Sequence, residues 1–258
     1  MKEDASQSAS QQLLRKLWFG AIQYPERHLI GRFSPVGNAA FVDPDYFEWA
    51  SRLENRWRAI RNELDCVLKH KSSLPNFQEI SDHITITDDD RWKTFFLYFY
   101  GHEIGANCAR CPETTRLLEA IPGVTTAFFS ILAPGKHIPE HRGPYKGVLR
   151  YHLGLKVPQP EKCCRIRVKD QVRHWEEGKS LVFDDTLPHE VWNDTSEERA
   201  VLFLDVVRPL PPFLSALNKG LLKVMKWSPP ATSAANSLKR KARHRQHVLR
   251  NEHTYTDA

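Results

Sequence analysis

At 258 residues, with 41% hydrophobic and 10% aromatic residues, the chain can bury a proper core as one large domain or two small ones. Lys and Arg number 37 against 31 Asp and Glu, a formal charge of +6, and the segment from Ser233 onward carries +4 of it, leaving +2 on the body. A near-neutral body excludes a nucleic-acid face spread over the fold, because phosphate tracking needs a broad basic stripe.

No run reaches the roughly eighteen apolar residues of a spanning helix, and the polar start MKEDASQSASQQ lacks the basic-then-apolar order of a secretory signal. The expectation is a soluble chain in the cytoplasm, at most peripheral on a membrane. Residues 1–12 read as disordered. LLRKLWFGAI (13–22) then offers a short apolar helix with two cations, either docked on the domain or lying on a membrane surface; together these make a leading segment of residues 1–34.

From Asp45 the pattern becomes helical. Trp49, Leu53, Trp57, Ile60, Leu64 and Leu68 recur at three- and four-residue steps, predicting one amphipathic helix capped by Asp45 with Glu48. TFFLYFY (94–100) reads as a core strand, and PETTRLLEAIPG (112–123) as a short helix started by Pro112 and stopped by Pro122-Gly123. Five cysteines without framework spacing, Cys66, Cys108, Cys111, Cys163 and Cys164, read as ordinary thiols, with a local disulfide or a metal clip as the other readings.

After Gly123 come strands: TTAFFSIL, GVLRYHLGL, CRIRV, KSLVFDD, HEVWN and RAVLFLDVV, separated by turns rich in Gly, Pro and Asp, a succession that suggests a sandwich or barrel. LPPFLSALNKGLLKVMKW follows as a basic amphipathic helix within 211–232, with Phe213, Leu214, Leu217, Leu221, Val224 and Met225 on one side. The tail 233–258, with KRKARHR, reads as disordered, and contact with an anionic membrane surface is its sharper reading. With no repeat and no linker, 35–210 makes one domain, its strand core at about 124–208.

In VLRYHLGL, alternation places Arg150, His152 and Gly154 on one face and Leu149, Tyr151, Leu153 and Leu155 on the other. An arginine and a histidine inside a strand need a polar pocket, so the first face lines a cavity. His141 and His189 sit at loop-to-strand edges, and two imidazoles with Arg150 and Arg199 suit an iron centre bound by a small dicarboxylate, which guanidinium forks clamp.

The words SILAPGKHIPEHRGP, LRYHLGL, WEEGKSLVFDD and HEVWND make the chain from about 128 to 209 resemble the aspartyl/asparaginyl β-hydroxylase family of Fe(II)- and 2-oxoglutarate-dependent dioxygenases. FFLYFYGHEIGANCARCPETTRLLEAIPG resembles bacterial members of that superfamily, including those akin to lipid A 2-hydroxylases. The resemblance implies a mainly β fold with flanking helices, a double-stranded β-helix of the jelly-roll or cupin kind. It implies His141 and His189 as iron ligands, Arg199 and Ser130 on the distal carboxylate of 2-oxoglutarate, and His152 and Arg150 near its chelating end or the substrate.

Gly143 stands where the facial triad of such oxygenases has its acid; this branch lets water fill that place, and Asp185 would orient the water or serve as a turn residue before Pro188. Val148 stands where peptide-aspartyl hydroxylases have another arginine. The implied reaction is β-hydroxylation of an aspartyl- or asparaginyl-type substrate, peptide or free amino acid, with release of succinate and CO2. The alternatives are hydroxylation of a lipid acyl chain at a membrane surface, and a non-catalytic β-helix scaffold.

Overall fold

The strand signals resolve into eleven strands in a computed structural model that describes residues 30–80 and 86–256, with side chains as far as residue 249. Of the leading segment expected over residues 1–34, residues 1–29, with the short apolar helix at 13–22, lie outside the described residues. The strands are β1 (Phe41–Val42), β2 (Trp92–Phe99), β3 (His102–Glu103), β4 (Val124–Leu132), β5 (Lys136–His141), β6 (Val148–Lys156), β7 (Cys164–Val168), β8 (Gln171–His174), β9 (Ser180–Phe183), β10 (His189–Asn193) and β11 (Arg199–Val207).

They form a seven-stranded sheet in the order β1-β9-β6-β11-β4-β2-β3 and a four-stranded sheet in the order β5-β10-β7-β8. From β4 to β11 the chain alternates between the two sheets, apart from the β7–β8 hairpin within the small one, and every named pair is antiparallel. That winding is the double-stranded β-helix, or jelly roll, and the expected fold class holds.

Alternation along the strands gives the large sheet two apolar faces. Its outer face, with Phe129, Ile131, Leu149, Tyr151, Leu153 and Leu202, packs against the helices. Its inner face, with Phe128, Leu132, Phe183, Val201 and Phe203, meets Ile138, Ile166, Val168 and Val191 of the small sheet.

The single helix predicted over 49–68 is two, α1 (Ala50–Asn55) and α2 (Trp57–Leu68), because Arg56 leaves the helical region (φ −109°, ψ 9°). The break lets Leu53 on one side and Ile60, Leu64 and Val67 on the other share one core, while Arg56 reaches Glu113 at 2.8 Å. The predicted Asp45–Glu48 cap is not formed: Asp43 accepts the Asp45 N–H at 3.0 Å and opens a 3-10 turn instead.

After α3 (Gly105–Cys108), α4 (Pro112–Glu119) starts at Pro112 as expected. Its first N–H groups are satisfied from α2, where the Glu63 carboxylate accepts from Glu113 N (2.7 Å) and Thr114 N (2.9 Å). All five cysteines are free thiols, so neither the local disulfide nor the metal clip is formed among the described residues. Burial pushes the Cys108 thiol up to about 11.

The basic amphipathic helix is α5 (Pro212–Lys226). The tail expected to be disordered is instead a helix, α6 (Pro229–Thr256). Ala231, Ala235, Leu238 and Ala242 recur at helical spacing and are buried, the last three in one cluster with Phe96, Phe99 and Ile104. A stripe of small residues carries little hydrophobicity, so the intervening cations dominate the sequence pattern while the alanines still allow close packing. Among the described residues no helix is long and apolar enough to cross a membrane.

Candidate active site

β5 ends at His141 and β10 begins at His189, and the antiparallel register sets the two directly opposite each other, with ring centroids 4.1 Å apart. Each Nδ1–H donates to a main-chain carbonyl, His141 to Pro139 (2.8 Å) and His189 to Leu187 (3.0 Å). That fixes the proton on Nδ1 and leaves Nε2 as the basic nitrogen. Burial lowers His189 to about 3, helped by the adjacent His141 and by Arg150; burial likewise lowers His141. Both rings are therefore neutral, the form that binds a metal.

Asp185 occupies the room next to Gly143. A Cβ on Gly143 would lie 1.9 Å from Asp185 Oδ2, and the Gly143 N–H donates to the Asp185 carbonyl at 2.7 Å. An acid at position 143 has no space here. The Asp185 carboxylate is buried, its Oδ1 has no hydrogen-bond partner in the protein, and Oδ2 pairs with Arg150 Nη2 at 2.8 Å. Burial raises this carboxyl to about 6 against the pull of Arg150. Among the described residues no three or more His, Cys, Asp or Glu side chains are grouped to hold a metal, so the protein offers two imidazoles without a third side-chain ligand.

Deeper on the inner face of the large sheet lie the other expected residues. Arg199 is fully buried at the start of β11, its Nε and Nη1 have no partner, and its guanidinium lies 4.4 Å from the ring centroid of Trp175. Burial lowers it to about 10, still charged at neutral pH. Ser130 is its diagonal neighbour across β4 and β11, and its hydroxyl accepts from Trp92 Nε1 at 3.0 Å; no hydrogen bond joins Ser130 to Arg199. His152, enclosed by Trp175, Phe183 and Phe203, has both ring nitrogens unpartnered. Burial holds it well below the ordinary range, with Arg199, Arg150 and His189 adding to the effect.

Trp175, whose Nε1 is also unpartnered, belongs to this group and sequence reasoning missed it. Gly154 positions it: a Cβ there would meet the Glu176 carbonyl at 2.0 Å, so the bare glycine lets the segment after Trp175 close on β6. Asp205 was missed as well, although it follows Arg199 by six residues and so shares its strand face. It accepts from Arg150 Nε at 3.0 Å. Arg150 is thus held between two carboxylates and lies 4.2 Å from the ring centroid of Phe203. The four groups His141, His189, Asp185 and Arg150 form one end of the site; His152 links them to Arg199, Ser130 and Trp175 at the other.

The arrangement fits an iron ion at the neutral histidine pair and a dicarboxylate whose far end meets the unpaired guanidinium, since a buried cation without an anion is costly. The sequence model of the aspartyl/asparaginyl β-hydroxylases matches residues 54–209. The chain belongs to that family. An ornithine lipid ester-linked acyl 2-hydroxylase of Rhizobium tropici is 48% identical over 199 residues, covering 77% of this chain and 71% of the relative. Human aspartyl/asparaginyl β-hydroxylase is 35% identical over 169 residues, which cover 64% of this chain but only 22% of that protein. Among solved structures, a Pseudomonas putida prolyl-4-hydroxylase aligns with 60% of this family member and 88% of its own chain, at a TM-score of 0.39 and 19% identity.

Proposed function

We propose that the protein is an Fe(II)- and 2-oxoglutarate-dependent hydroxylase acting on the acyl chain of a membrane lipid. The cofactor assignment is carried by Arg199, a buried guanidinium with unpartnered donors and no counter-ion, on the same sheet face as neutral His152 and within the same β-helix as the His141–His189 pair. In this reading His141 and His189 hold the iron. Arg199, Ser130 and the Trp175 N–H hold the distal carboxylate of 2-oxoglutarate, and neutral His152 offers a ring nitrogen beside it. Asp185 Oδ1 accepts from a water in the place that an acid at 143 would otherwise fill. Once bound, iron and cosubstrate would let dioxygen react, one oxygen atom going into the C–OH of the substrate and the other into the succinate that 2-oxoglutarate becomes as it loses CO2.

The choice of substrate rests on the cleft beside Arg150. This small cleft, about 50 Å³, is lined by Val148, Leu222 and Met225 together with Arg150, Asp185 and Asp205 and the hydroxyl-bearing side chains of Tyr100, Thr125, Thr126 and Tyr145. A substrate carboxylate there would compete with two protein carboxylates for one guanidinium, whereas an apolar chain meets Val148, Leu222 and Met225. The Rhizobium relative, by its name, acts on a lipid acyl chain, which favours the same reading. An aspartyl or asparaginyl substrate is the second reading, favoured by the name of the human relative. A cytoplasmic, peripheral location belongs to the proposal.

Succinate release from a panel of membrane lipids, aspartyl peptides and free amino acids tests it. Turnover on lipid that requires both Fe(II) and 2-oxoglutarate, and that vanishes in His141→Ala and His189→Ala, is expected. Turnover on peptides alone refutes the lipid substrate while retaining the cofactors. Tight histidine-dependent Mn(II) binding without succinate from any member of the panel refutes catalysis and supports the non-catalytic scaffold.

A further inference from the structure

Phe213, Leu217, Val224 and Trp227 are 80%, 54%, 57% and 65% exposed. They fall at steps of four, seven and three residues, so along α5 and its C-terminal cap they form a single stripe. Half of the large hydrophobic residues exposed among the described residues stand on this one short segment. Scattered apolar residues on a surface need no explanation, but a contiguous stripe of two aromatics and two aliphatics marks a contact.

Charge says what the contact is. Lys219 and Lys223 are exposed to one side of the stripe, and Lys226 lies with its Nζ 5.6 Å from the Trp227 ring centroid. No acid occurs between Asp205 and Glu252. A second copy of the chain would bring these lysines against their own counterparts. The undescribed segment 13–22 carries Arg15 and Lys16 and no acid, so it too has the wrong sign. An anionic lipid surface satisfies the stripe and the lysines together.

We infer that the exposed face of α5 docks the protein on an anionic lipid bilayer. The opposite side of the same helix presents Leu222 and Met225 to the cleft that holds Arg150 and Asp185. Docking through α5 therefore brings the cleft to within one helix diameter, about 10 Å, of the lipid surface. This deepens the lipid reading of the site and rests on it for the substrate, whereas docking itself is measured without turnover. It also moves the surface contact from the tail, where α6 uses its apolar stripe on the fold, to α5.

Co-sedimentation of the intact chain with phosphatidylcholine vesicles, with and without phosphatidylglycerol and at low and high salt, measures docking. Binding is expected only with phosphatidylglycerol, and weaker in high salt. Phe213→Ser with Leu217→Ser should lower the partition coefficient by about tenfold or more with an unchanged unfolding temperature, because both side chains are exposed in the free protein. Lys219→Glu with Lys223→Glu should lower it by at least roughly tenfold on anionic vesicles. Brominated lipid should quench tryptophan fluorescence in the wild type, and Trp227→Phe should remove most of that quenching.

Wild-type binding in both double variants overturns the inference. So does binding lost in Arg240→Glu with Arg243→Glu on α6 but kept in the α5 variants, or a dimer that Phe213→Ser with Leu217→Ser splits without changing vesicle binding. Turnover of detergent-dispersed lipid by a chain that binds no vesicles overturns docking and leaves the substrate standing. Vesicle binding lost in the α5 variants of a chain that hydroxylates no lipid upholds docking and removes the substrate.

Discussion

Replacing Arg199 by Met separates the two things this residue does. In the free protein a guanidinium sits wholly buried, with Nε and Nη1 unpartnered and no carboxylate paired with it among the described residues. Removing a charge from water costs several kcal/mol unless a partner compensates, and the one visible compensation is the contact with Trp175, worth up to about 2 kcal/mol when desolvated. Met is two atoms shorter but unbranched and apolar, and its sulfur can keep a favourable contact with the indole. The balance predicts that Arg199→Met stabilises the ligand-free protein by roughly 1–3 kcal/mol, with about 2–4 °C in Tm per kcal/mol for a chain of this size.

On the proposed reading the same change removes the clamp on the distal carboxylate of 2-oxoglutarate. Hydrogen bonds to charged groups are worth about 1.5–3 kcal/mol each, so losing two weakens 2-oxoglutarate by roughly 100- to 10,000-fold. Thermal unfolding without metal or cosubstrate reads the first effect, and calorimetric titration of 2-oxoglutarate in the presence of Mn(II) reads the second. Saturating 2-oxoglutarate should raise the wild-type Tm and leave that of the variant unmoved. A ligand-free Tm that falls in Arg199→Met, or a 2-oxoglutarate affinity that survives it, refutes the reasoning.

Three further outcomes are expected. Gly143→Ala drives a methyl group into the Asp185 carboxylate and should cost about 1–3 kcal/mol in urea unfolding, part of which returns in the double variant with Asp185→Ala; simple additivity of the two changes would show that they do not share the space. Asp184 is fully buried, which works to raise its carboxyl, but Arg208, Lys146 and Thr186 together hold it below the usual range. Its contribution to stability is therefore complete above its unfolded value near roughly pH 4 and is lost as pH falls through the lower folded value. Asp184→Asn should remove that part of the acid dependence and cost about 3–5 kcal/mol, and an unchanged acid limb of the stability–pH curve would refute the assignment. Leu238→Ala on α6 should cost about 2–4 kcal/mol in urea unfolding, whereas a disordered tail would show no change.

The period of two was the strongest signal in the chain. It set Leu149, Tyr151, Leu153 and Leu155 against the helices and turned Arg150 and His152 inward, as the buried clusters show. The facing of His141 and His189 had no such signal, because their register arises from β5 and β10, which are far apart in sequence. It came from the family resemblance instead. The helical period was legible too, but the break at Arg56 was not, since Leu53, Ile60 and Leu64 keep their spacing across a residue that leaves the helix. In α6 the failure was of a different kind: alanines can pack a helix closely without producing a hydrophobic pattern, and cations between them hid the stripe.

Asp205 shows most sharply where sequence reasoning stopped short. RAVLFLDVV reads as an apolar core strand, and the single acid in it looks incidental until alternation is applied from Arg199, which sets Arg199, Val201, Phe203 and Asp205 on one face. The register of β11 on β6 then brings Asp205 opposite Arg150 and Phe203 opposite His152. Arg150 is consequently already paired with Asp205 and Asp185, where the family resemblance implied a guanidinium near the cosubstrate or the substrate. Val148 stands where the resemblance implies a second arginine, so on the proposed reading the cleft offers no unpaired cation to a substrate anion. Arg199, by contrast, has Nε and Nη1 unpartnered and no ion pair among the described residues. On the proposed reading the two arginines therefore carry opposite messages: the unpaired one would take the carboxylate of the cosubstrate, and the paired one would leave its cleft to an uncharged chain.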